Sequence, residues 1–512
     1  MFFPTSRTMG RRMSARTVCR LALALLLVAG AVVLGTPSHA VAVGPSSVGS
    51  DGLDRQAVDT YVGNYLDRHG LAGASVAVVK DGEVVHTAGY GEGGDGRTTQ
   101  RTPMAVGSTS KSMTAVAVLQ LVDEGTVDLD DPVVEHLPEF EMADDRASEI
   151  TVRQLLSHTS GVPSPVIVPP AGDLTEAVER LEDSELAAAP GDRHLYSNMN
   201  YQVAARLVEK VSGTPFATHL ERNLFDPLGM DDTTSVNTSG AEHPGLEHGN
   251  ITAYGQTLHV QEMQQFIAGA GGVVSTAEDM AAWMAMVTDG GRTPSGEQLV
   301  SRRLLEEAQS PQPGADGYGL GWSTSGKGVD PPRVGHSGAT SRYSAEMDAV
   351  PESGYGVVVM LNSFTAAYEH NYAIGSGVVE ITEGETPSPG WPWLTMVDLV
   401  LGALTLLVIA LMVRGVRRAD RWAERRREWP TWRYLVRQAP QALLVALGVL
   451  LFLVVPELQD NPATPLDVLA LWPAVMVLLL VLALSGIVLI TLRLRHRWAV
   501  NGPSGEPSPG SS

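Results

Sequence analysis

Three long apolar runs near the end of the chain constrain its fold more than any other feature of the sequence. They are Leu394–Val413, Ala439–Pro456 and Val468–Leu492, and Asp398 is the only charged residue within them. Each is close to the roughly 20 residues that a helix needs to cross about 30 Å of hydrocarbon. A single such run is often a buried core helix, but three in succession with basic flanks favour a membrane. The sequence therefore predicts a membrane region over residues 394–512, with transmembrane helices at 394–413, 439–456 and 468–492.

The charges beside these runs predict their orientation. The segment Arg414–Arg437, between the first two runs, contains nine arginines, and three more follow the last run. The loop between the second and third runs has three acidic residues and no basic one. Positive charge stays on the cytoplasmic side. We therefore expect the arginine-rich loop Arg414–Arg437 and the C-terminal tail to lie in the cytoplasm, and residues 43–393 to lie outside it. The prediction is a multi-pass protein of the cell membrane with an extracytoplasmic domain.

The N-terminus leads to the same orientation independently. Five arginines and no acidic residue occur in the first 42 residues, and the apolar run Leu21–Gly35 ends ahead of Ala40-Val41-Ala42. Basic residues, an apolar segment and a small-residue site in this order are typical of an export signal, which could also remain as an anchor. We assign residues 1–42 to this signal or anchor and 43–52 to a flexible linker.

The part of the chain between these membrane segments is strongly acidic. Residues 43–393 contain 49 acidic and 19 basic residues. Such a balance argues against nucleic acid, whose phosphates need a basic surface. The chain has a single cysteine, Cys19, so no disulfide can form within it.

The segment 53–382 has the pattern of one mixed α and β domain, and the Pro- and Gly-containing stretch 383–393 is typical of a linker. Strand-like runs at 74–79 and 83–88 flank Lys80-Asp81-Gly82, which predicts a hairpin. Apolar patterns predict helices at 108–124, 201–211, 276–287 and 365–379, and strands at 318–323, 342–349 and 354–361. Strands at both ends with helices between them indicate an α+β fold in which the two ends pair in one antiparallel sheet.

The stretch "AVGSTSKSM" (105–113) holds the first candidate site, Ser108 and Lys111. If a helix begins at Ser108, the two side chains lie one turn apart on the same face. A serine is a poor nucleophile until a neighbour takes its proton, and a lysine with a lowered pKa could do so. The alternative for this short motif alone is a helix-capping serine beside a solvated lysine.

Two further motifs follow along the chain. Tyr196 and Asn198 lie in "HLYSNMNY", where a phenol and an amide could face the same site. The sequence "GHSGA" (335–339) precedes a strand and places His336 two residues before Gly338. A glycine there would let a substrate backbone approach, and nearby N–H groups could form an oxyanion hole. The ordinary alternatives are a buried, hydrogen-bonded tyrosine and a Gly-rich turn.

The ordered set Ser-x-x-Lys, Tyr-x-Asn and His-x-Gly resembles the serine β-lactamase and penicillin-binding-protein-like hydrolases. Class C β-lactamases, D-Ala-D-Ala carboxypeptidases and the related esterases and peptidases are the most similar members. Supporting phrases extend the resemblance from about Leu53 to Phe364, among them "LLSHTSGVP" (155–163), "AGAGGVVSTAEDM" (268–280) and "YGLGW" (318–322). The implied fold is a β-lactamase-like antiparallel sheet flanked by helices, with an all-helical domain.

The resemblance also implies a role for each matching residue. Ser108 would be the acylated nucleophile, Lys111 its proton acceptor, and Tyr196 a general base or acid. Asn198 would orient the acyl group, and the backbone N–H groups of Ser108 and Ala339, next to Gly338, would hold the oxyanion. No cofactor and no metal are implied. The expected partners are a small-molecule or peptide substrate, the membrane and a membrane protein.

His336 departs from many β-lactamases, which have a lysine of a Lys-Thr-Gly motif at this place. An ordinary histidine is charged only near or below pH ~6.5, so a substrate carboxylate would be held less securely. We therefore rank an esterase, amidase or peptidase above a β-lactamase or D-Ala-D-Ala carboxypeptidase. A catalytically silent sensor or binding module of the same fold is the third possibility.

Three rival interpretations carry less weight. Ser337 in "GHSGA" nearly matches a Gly-x-Ser-x-Gly nucleophile motif, but that motif needs a helix after it, and "TSRYSAEMDAV" alternates like a strand. His158 is interpreted as part of a structural loop. His243, Glu247 and His248 do not have the usual helical spacing of a zinc site.

Overall fold

The computed structural model describes residues 52–93, 96–165, 168–240, 245–246, 249–365, 370–454 and 465–501. The predicted signal or anchor at 1–42 and nearly all of the linker at 43–52 lie outside the described residues. His243, Glu247 and His248 lie outside them too.

A seven-stranded antiparallel sheet forms the centre of the domain predicted at 53–382, in the order β3-β2-β1-β12-β11-β10-β9. Its strands are β1 (Gly73–Lys80), β2 (Glu83–Gly93), β3 (Gly96–Arg97), β9 (Ser323–Thr324), β10 (Val334–Ala339), β11 (Ser344–Val350) and β12 (Tyr355–Leu361). Strand β1 pairs with β12, with Ala74 opposite Leu361, and with β2 to form the hairpin. The prediction that strands from the two ends of the domain share one antiparallel sheet is confirmed.

Two three-stranded sheets complete the β structure. One contains β13 (Ser363–Phe364), β6 (Asn250–Ala253) and β7 (Gln256–His259). The other contains β4 (Met104–Ala105), β8 (Val273–Ser275) and β5 (Thr234–Ser235). Strand β4 leads directly into the Ser108 turn, so its pairing with β8 fixes the approach to the candidate nucleophile.

Both faces of the large sheet are covered, which explains why β12 and most of β1 carry apolar residues on both faces. Along β1, Val76 and Val78 face a core with the helices α1 (Arg55–His69) and α11 (His370–Thr382). The alternate residues Ala77 and Val79 face the larger core, which contains most of the remaining helices. Successive side chains of a strand point to opposite faces, so each face needs its own apolar set.

The other α-helices described within residues 53–382 pack into that larger core. They are α2 (Ser110–Asp123), α3 (Val133–His136), α4 (Val152–Leu156), α5 (Leu174–Glu179), α6 (Asn198–Ser212), α7 (Phe216–Leu220), α8 (Asp226–Leu228), α9 (Ala277–Thr288) and α10 (Arg302–Gln309). Helix α9 begins after Thr276, whose side chain caps the helix by accepting a hydrogen bond from Asp279 N. The described residues from Gly52 to Thr395 belong to one compact unit, and the apolar side chains of these helices form one core with one face of the sheet.

Two local predictions need correction. Ser108 does not begin the α-helix but lies in a single 3₁₀ turn, Gly107–Thr109, just before α2. The "YGLGW" stretch is not a strand over 318–323, because only Ser323 and Thr324 pair with β10. A Cβ on Gly319 would lie 2.0 Å from Ala308 O, and one on Gly321 would lie 2.8 Å from Ala115 Cβ. The glycines therefore serve close packing of a turn against α10 and α2.

Two helices of the C-terminal region are long and apolar enough to cross a membrane, α12 (Trp393–Arg417) and the helix that spans Pro473–Trp498. The middle apolar run is a shorter helix, Ala439–Val454, whose last turn, Leu450–Val454, has π geometry. At about 1.5 Å per residue it falls short of the hydrocarbon thickness, so the predicted count of three transmembrane helices is not confirmed in the described residues. The third run begins at Pro473 rather than at Val468, which lies in a separate helix, Pro465–Leu471.

Candidate active site

Ser108 and Lys111 are brought together at the junction of the 3₁₀ turn and α2. Lys111 Nζ lies 3.0 Å from Ser108 Oγ. Gly107, directly before the serine, has φ +55°, a left-handed conformation that glycine adopts without strain. The predicted pairing of the two side chains is present, although the turn rather than the α-helix carries the serine.

The amine of Lys111 is fully buried and has two carbonyl partners. Its Nζ donates hydrogen bonds to Asn198 Oδ1 at 2.8 Å and to Ala270 O at 2.7 Å. Burial lowers the pKa of Lys111 well below its ordinary value. In the neutral amine, two N–H bonds serve the two carbonyls, and the lone pair faces the Ser108 hydroxyl. This arrangement suits a group that accepts the serine proton.

Tyr196 lies beside Ser108 and Lys111, and its side chain is partly exposed to solvent. Lys111 Nζ lies 4.9 Å from the centre of its ring. Burial around the phenol raises the pKa of Tyr196 to about 12, and a hydrogen bond with Ser108 opposes this shift. Water reaching the exposed part of the residue, 43 % of its surface, moderates the effect of burial. At neutral pH the phenol is protonated, so it can donate a proton.

His336 lies on β10 and is buried, with both ring nitrogens engaged. Its Nδ1 is 2.6 Å from Ser337 O, and its Nε2 is 2.8 Å from the hydroxyl of Tyr318. A carbonyl oxygen can only accept, so Nδ1 carries the proton and Nε2 accepts from Tyr318. Burial and then the charge of Lys111 lower the pKa of His336 to about 3, against a hydrogen bond to Ser337 that raises it. The expectation that His336 becomes charged near pH 6.5 is therefore wrong. In this site the histidine stays neutral far below that pH.

Gly338 and Gly107 allow two backbone segments to meet beside the nucleophile. A Cβ on Gly338 would lie 2.0 Å from Val106 O and 2.9 Å from Ser108 N. A Cβ on Gly107 would lie 2.4 Å from Ala339 N. The absence of both side chains brings the Ser108 and Ala339 amides, the predicted oxyanion donors, to one place.

A cavity of about 260 Å³ opens at this point. Its lining includes no lysine, arginine, aspartate or glutamate among the described residues. Burial lowers the pKa of His370, the second histidine of the lining, to about 3, so neither imidazole is charged at neutral pH. The lining consists of Ser108, Tyr196, His336, Ser337, Gly338, Ala339, Ser344, Ser363, Phe364, Thr365, His370 and Asn371.

The structure also tests two of the rival interpretations, those of Ser337 and His158. Ser337 lies inside β10 and is followed by β11, so the strand–turn–helix context of a nucleophile elbow is absent there. His158 is fully buried with its ring centre 4.2 Å from that of Tyr196. The loop that contains His158 therefore lies next to the site.

Sequence reasoning missed two further groups, the Tyr318 hydroxyl and the Ala270 carbonyl. Both lie in phrases that support the family resemblance, "YGLGW" and "AGAGG". Those phrases identify the segments as part of the family pattern. They do not predict that Ala270 O contacts Lys111 or that the Tyr318 hydroxyl contacts His336, which depends on the packing.

Comparison with known proteins agrees with this geometry. The Beta-lactamase family model matches residues 58–376. "Protein flp" of Staphylococcus aureus (strain MRSA252) is 26 % identical over 320 residues, which is 60 % of this chain and 63 % of that protein. The "Putative penicillin-binding protein PbpX" of Bacillus subtilis (strain 168) is 26 % identical over 306 residues, 59 % of this chain and 73 % of the relative. The match thus spans less than two thirds of the first relative.

Two solved structures are similar in fold. The octameric penicillin-binding protein homologue from Pyrococcus abyssi has a TM-score of 0.56 and 26 % identity, covering 65 % of this chain and 78 % of that one. The D-stereospecific amidohydrolase from Streptomyces sp. has a TM-score of 0.50 and 25 % identity, covering 60 % and 94 %. The family match over most of the chain, on a fold that joins Ser108 and Lys111, shows that this protein belongs to the β-lactamase family of serine hydrolases.

Proposed function

We propose that this chain is an extracytoplasmic serine hydrolase that forms an acyl-enzyme at Ser108 from uncharged ester or amide substrates, peptide-like ones included. The observation that carries the proposal is the 3.0 Å separation between Ser108 Oγ and the buried amine of Lys111. A serine hydroxyl beside an amine with a lowered pKa is an activated nucleophile. The cavity in front of it has room for a small acyl group and its leaving group.

Acylation starts when the Ser108 hydroxyl proton moves to the neutral amine of Lys111 and Oγ bonds to the substrate carbonyl carbon. The π electrons move to the carbonyl oxygen, where the amides of Ser108 and Ala339 stabilise the negative charge. The bond to the leaving alcohol or amine then breaks, and the leaving group takes a proton from Tyr196. The ammonium of Lys111 returns its proton to the Tyr196 phenolate, so both groups regain their starting states.

Deacylation follows the same route with water in place of the leaving group. The water oxygen bonds to the acyl carbon while Lys111 accepts one of its protons. When the bond to Ser108 Oγ breaks, the serine takes that proton back, and the product acid departs. No charged side chain has to enter or leave the site during the cycle.

The uncharged lining supports neutral substrates. A free carboxylate close to Ser108 would lose its hydration and meet no cation among the described lining residues. Hydroxyl, amide and neutral imidazole groups can instead bond to ester and amide dipoles. A β-lactamase or D-Ala-D-Ala carboxypeptidase, whose substrates carry a carboxylate, is the second candidate, and the similarity to a penicillin-binding protein homologue favours it.

The test uses the full chain in mild detergent and reads intact mass after treatment with a fluorophosphonate. One adduct on the wild type and none on Ser108→Ala is the expected result. An unlabelled, folded wild type would overturn the proposal and favour a silent binding module. Hydrolysis of a D-Ala-D-Ala peptide and of its C-terminal amide then compares the two candidates. We expect the amide to be preferred; strong preference for the free acid would favour the second candidate.

A further inference from the structure

The phenol of Tyr196 must be held against Ser108 by a segment with no helix or strand of its own. Tyr196 lies in the loop that ends at Ser197, the cap of α6. Leu195 N, on one side of the tyrosine, donates a hydrogen bond to the carbonyl oxygen of His158 at 2.8 Å. On the other side, Ser197 N donates to Nδ1 of the His158 ring at 3.1 Å. Both backbone amides that flank Tyr196 are therefore held by one residue.

The ring of His158 is itself fixed in place. The side-chain amide of Asn200 donates to Nδ1 at 3.2 Å, and Asn200 Oδ1 accepts a hydrogen bond from Ser160 at 2.6 Å. Because Nδ1 accepts from two donors, the ring proton lies on Nε2, which has no hydrogen-bond partner in the described part of the chain. The imidazole lies beside the Tyr196 ring, with 4.2 Å between the centres.

The backbone conformation of His158 also indicates that its side chain has a specific role. The residue follows the C-terminal end of α4 with φ +58°, a left-handed conformation usually taken by glycine or asparagine at a helix end. Glycine would adopt this conformation with less strain, but it would supply no acceptor for Ser197 N. The turn directs both acceptors of one residue, O and Nδ1, to the segment that carries Tyr196.

We propose that His158 is a positioning residue that sets the phenol of Tyr196 for proton transfer to the leaving group. The proposal rests on the function proposed above, since it assumes that Tyr196 is the proton donor. His158 does not line the cavity and contacts no reacting atom. It acts through the two amide bonds and the ring contact.

The experiment compares His158→Gly with His158→Asn in the full chain in mild detergent. Glycine accepts the positive φ but removes the acceptor, whereas asparagine tolerates the same φ and offers an oxygen close to the place of Nδ1. Two esters of the same acid are the probes, a methyl ester, whose leaving group needs a proton, and a p-nitrophenyl ester, whose leaving group does not.

For His158→Gly we expect kcat on the methyl ester to fall by roughly 10- to 100-fold with KM within about twofold, because misplacing a catalytic group has effects of this size. The p-nitrophenyl ester and fluorophosphonate labelling should change by less than about threefold. His158→Asn should restore most of the methyl-ester turnover. Ser160→Ala, which frees Asn200, should give a weaker form of the same selective loss if the glycine variant does not fold.

An equal loss on both esters, or an asparagine variant no better than the glycine one, would show that His158 is only structural. Failure of the proposed function looks different, since the wild type itself would then neither label nor turn over either ester.

Discussion

The hydroxyl of Tyr318 donates a hydrogen bond to Nε2 of His336 over 2.8 Å, and this bond orients the neutral imidazole in the cavity wall. The other ring nitrogen donates to Ser337 O. With both nitrogens engaged in the neutral ring, protonation would leave Nε2–H facing the hydroxyl of Tyr318, and no carboxylate among the described lining residues would stabilise the charge. The position that is a lysine in many β-lactamases is thus a neutral donor–acceptor pair here.

His336→Lys should therefore change substrate preference. An ammonium at this position would pair with a substrate carboxylate, and a charged hydrogen bond contributes about 1.5–3 kcal/mol. We expect the ratio of kcat/KM for a D-Ala-D-Ala peptide over its C-terminal amide to rise by at least about tenfold. His336→Gln, which is polar but uncharged, serves as the control and should leave that ratio near the wild-type value. An unchanged ratio in the lysine variant would mean that this wall does not contact the group next to the scissile bond.

Asn198→Asp tests the protonation state of Lys111. It would place a carboxylate about where Asn198 Oδ1 now accepts from Nζ at 2.8 Å, and an opposite charge at this distance raises the pKa of an amine. More Lys111 would then be protonated at neutral pH and unable to accept the serine proton. We expect kcat/KM at pH 7 to fall and the acid limb of its pH profile to move up by about 1–3 units. Asn198→Ala, which adds no charge, should not move the limb upward.

Gly338→Ala tests the contact between β10 and the Ser108 turn. Its Cβ would overlap Val106 O at 2.0 Å and crowd Ser108 N at 2.9 Å. Separating the two backbones would weaken the oxyanion donors, and the loss of one such donor lowers kcat by about 10²–10³-fold. The matched control is Gly326→Ala, where a Cβ meets nothing within 4 Å and turnover should be unchanged. Comparable activity in the two variants would contradict the proposed oxyanion site.

Some of these structural relationships can be predicted from the sequence, and others cannot. Spacing alone brings Ser108 and Lys111 together because they are one turn apart, and the apolar pattern of β1 and β12 predicts their shared sheet. The neutral state of His336 could not be predicted, since it depends on the burial of the ring near Lys111, which only the packing establishes. The "YGLGW" pattern misled because large apolar residues at every second position are typical of a strand, whereas here the glycines between them allow a turn to pack closely against two helices. His158 remained hidden because the residues it holds, Leu195 and Ser197, are about 40 positions away.

Acid should destabilise the hydrolase region through its buried histidines. The pKa of His336 and that of His370 are both lowered to about 3 in the folded state, against an ordinary value near 6.5. Between these values the unfolded chain binds protons that the folded chain does not, so the free energy of unfolding falls as the pH drops through this window. At pH 5 each histidine should cost about 2 kcal/mol relative to pH 7.

The measurement is the thermal unfolding midpoint of the full chain in detergent at pH 7, 6 and 5. His370→Asn is the informative variant, because its oxygen can replace Nδ1 as the acceptor of the Tyr65 hydroxyl, now at 2.9 Å, without titrating. Its midpoint should fall less between pH 7 and pH 5 than that of the wild type, while the other buried histidines, His336 and His158 among them, still contribute to the fall. Equal falls in the two proteins would show that His370 is already protonated or accessible in the folded state.

The membrane arrangement can be tested residue by residue, because Cys19 is the only cysteine to remove. In a Cys19→Ser background, we expect a membrane-impermeant thiol reagent to label Lys327→Cys, on the exposed surface of the hydrolase region, in intact cells. Arg427→Cys, in the arginine-rich loop, should be labelled only after permeabilisation. Gln459→Cys reports on the short middle helix: labelling from outside requires that run to cross the bilayer, as three transmembrane helices demand. If Gln459→Cys is protected in intact cells and Ser508→Cys is labelled from outside, only the two long helices cross the bilayer.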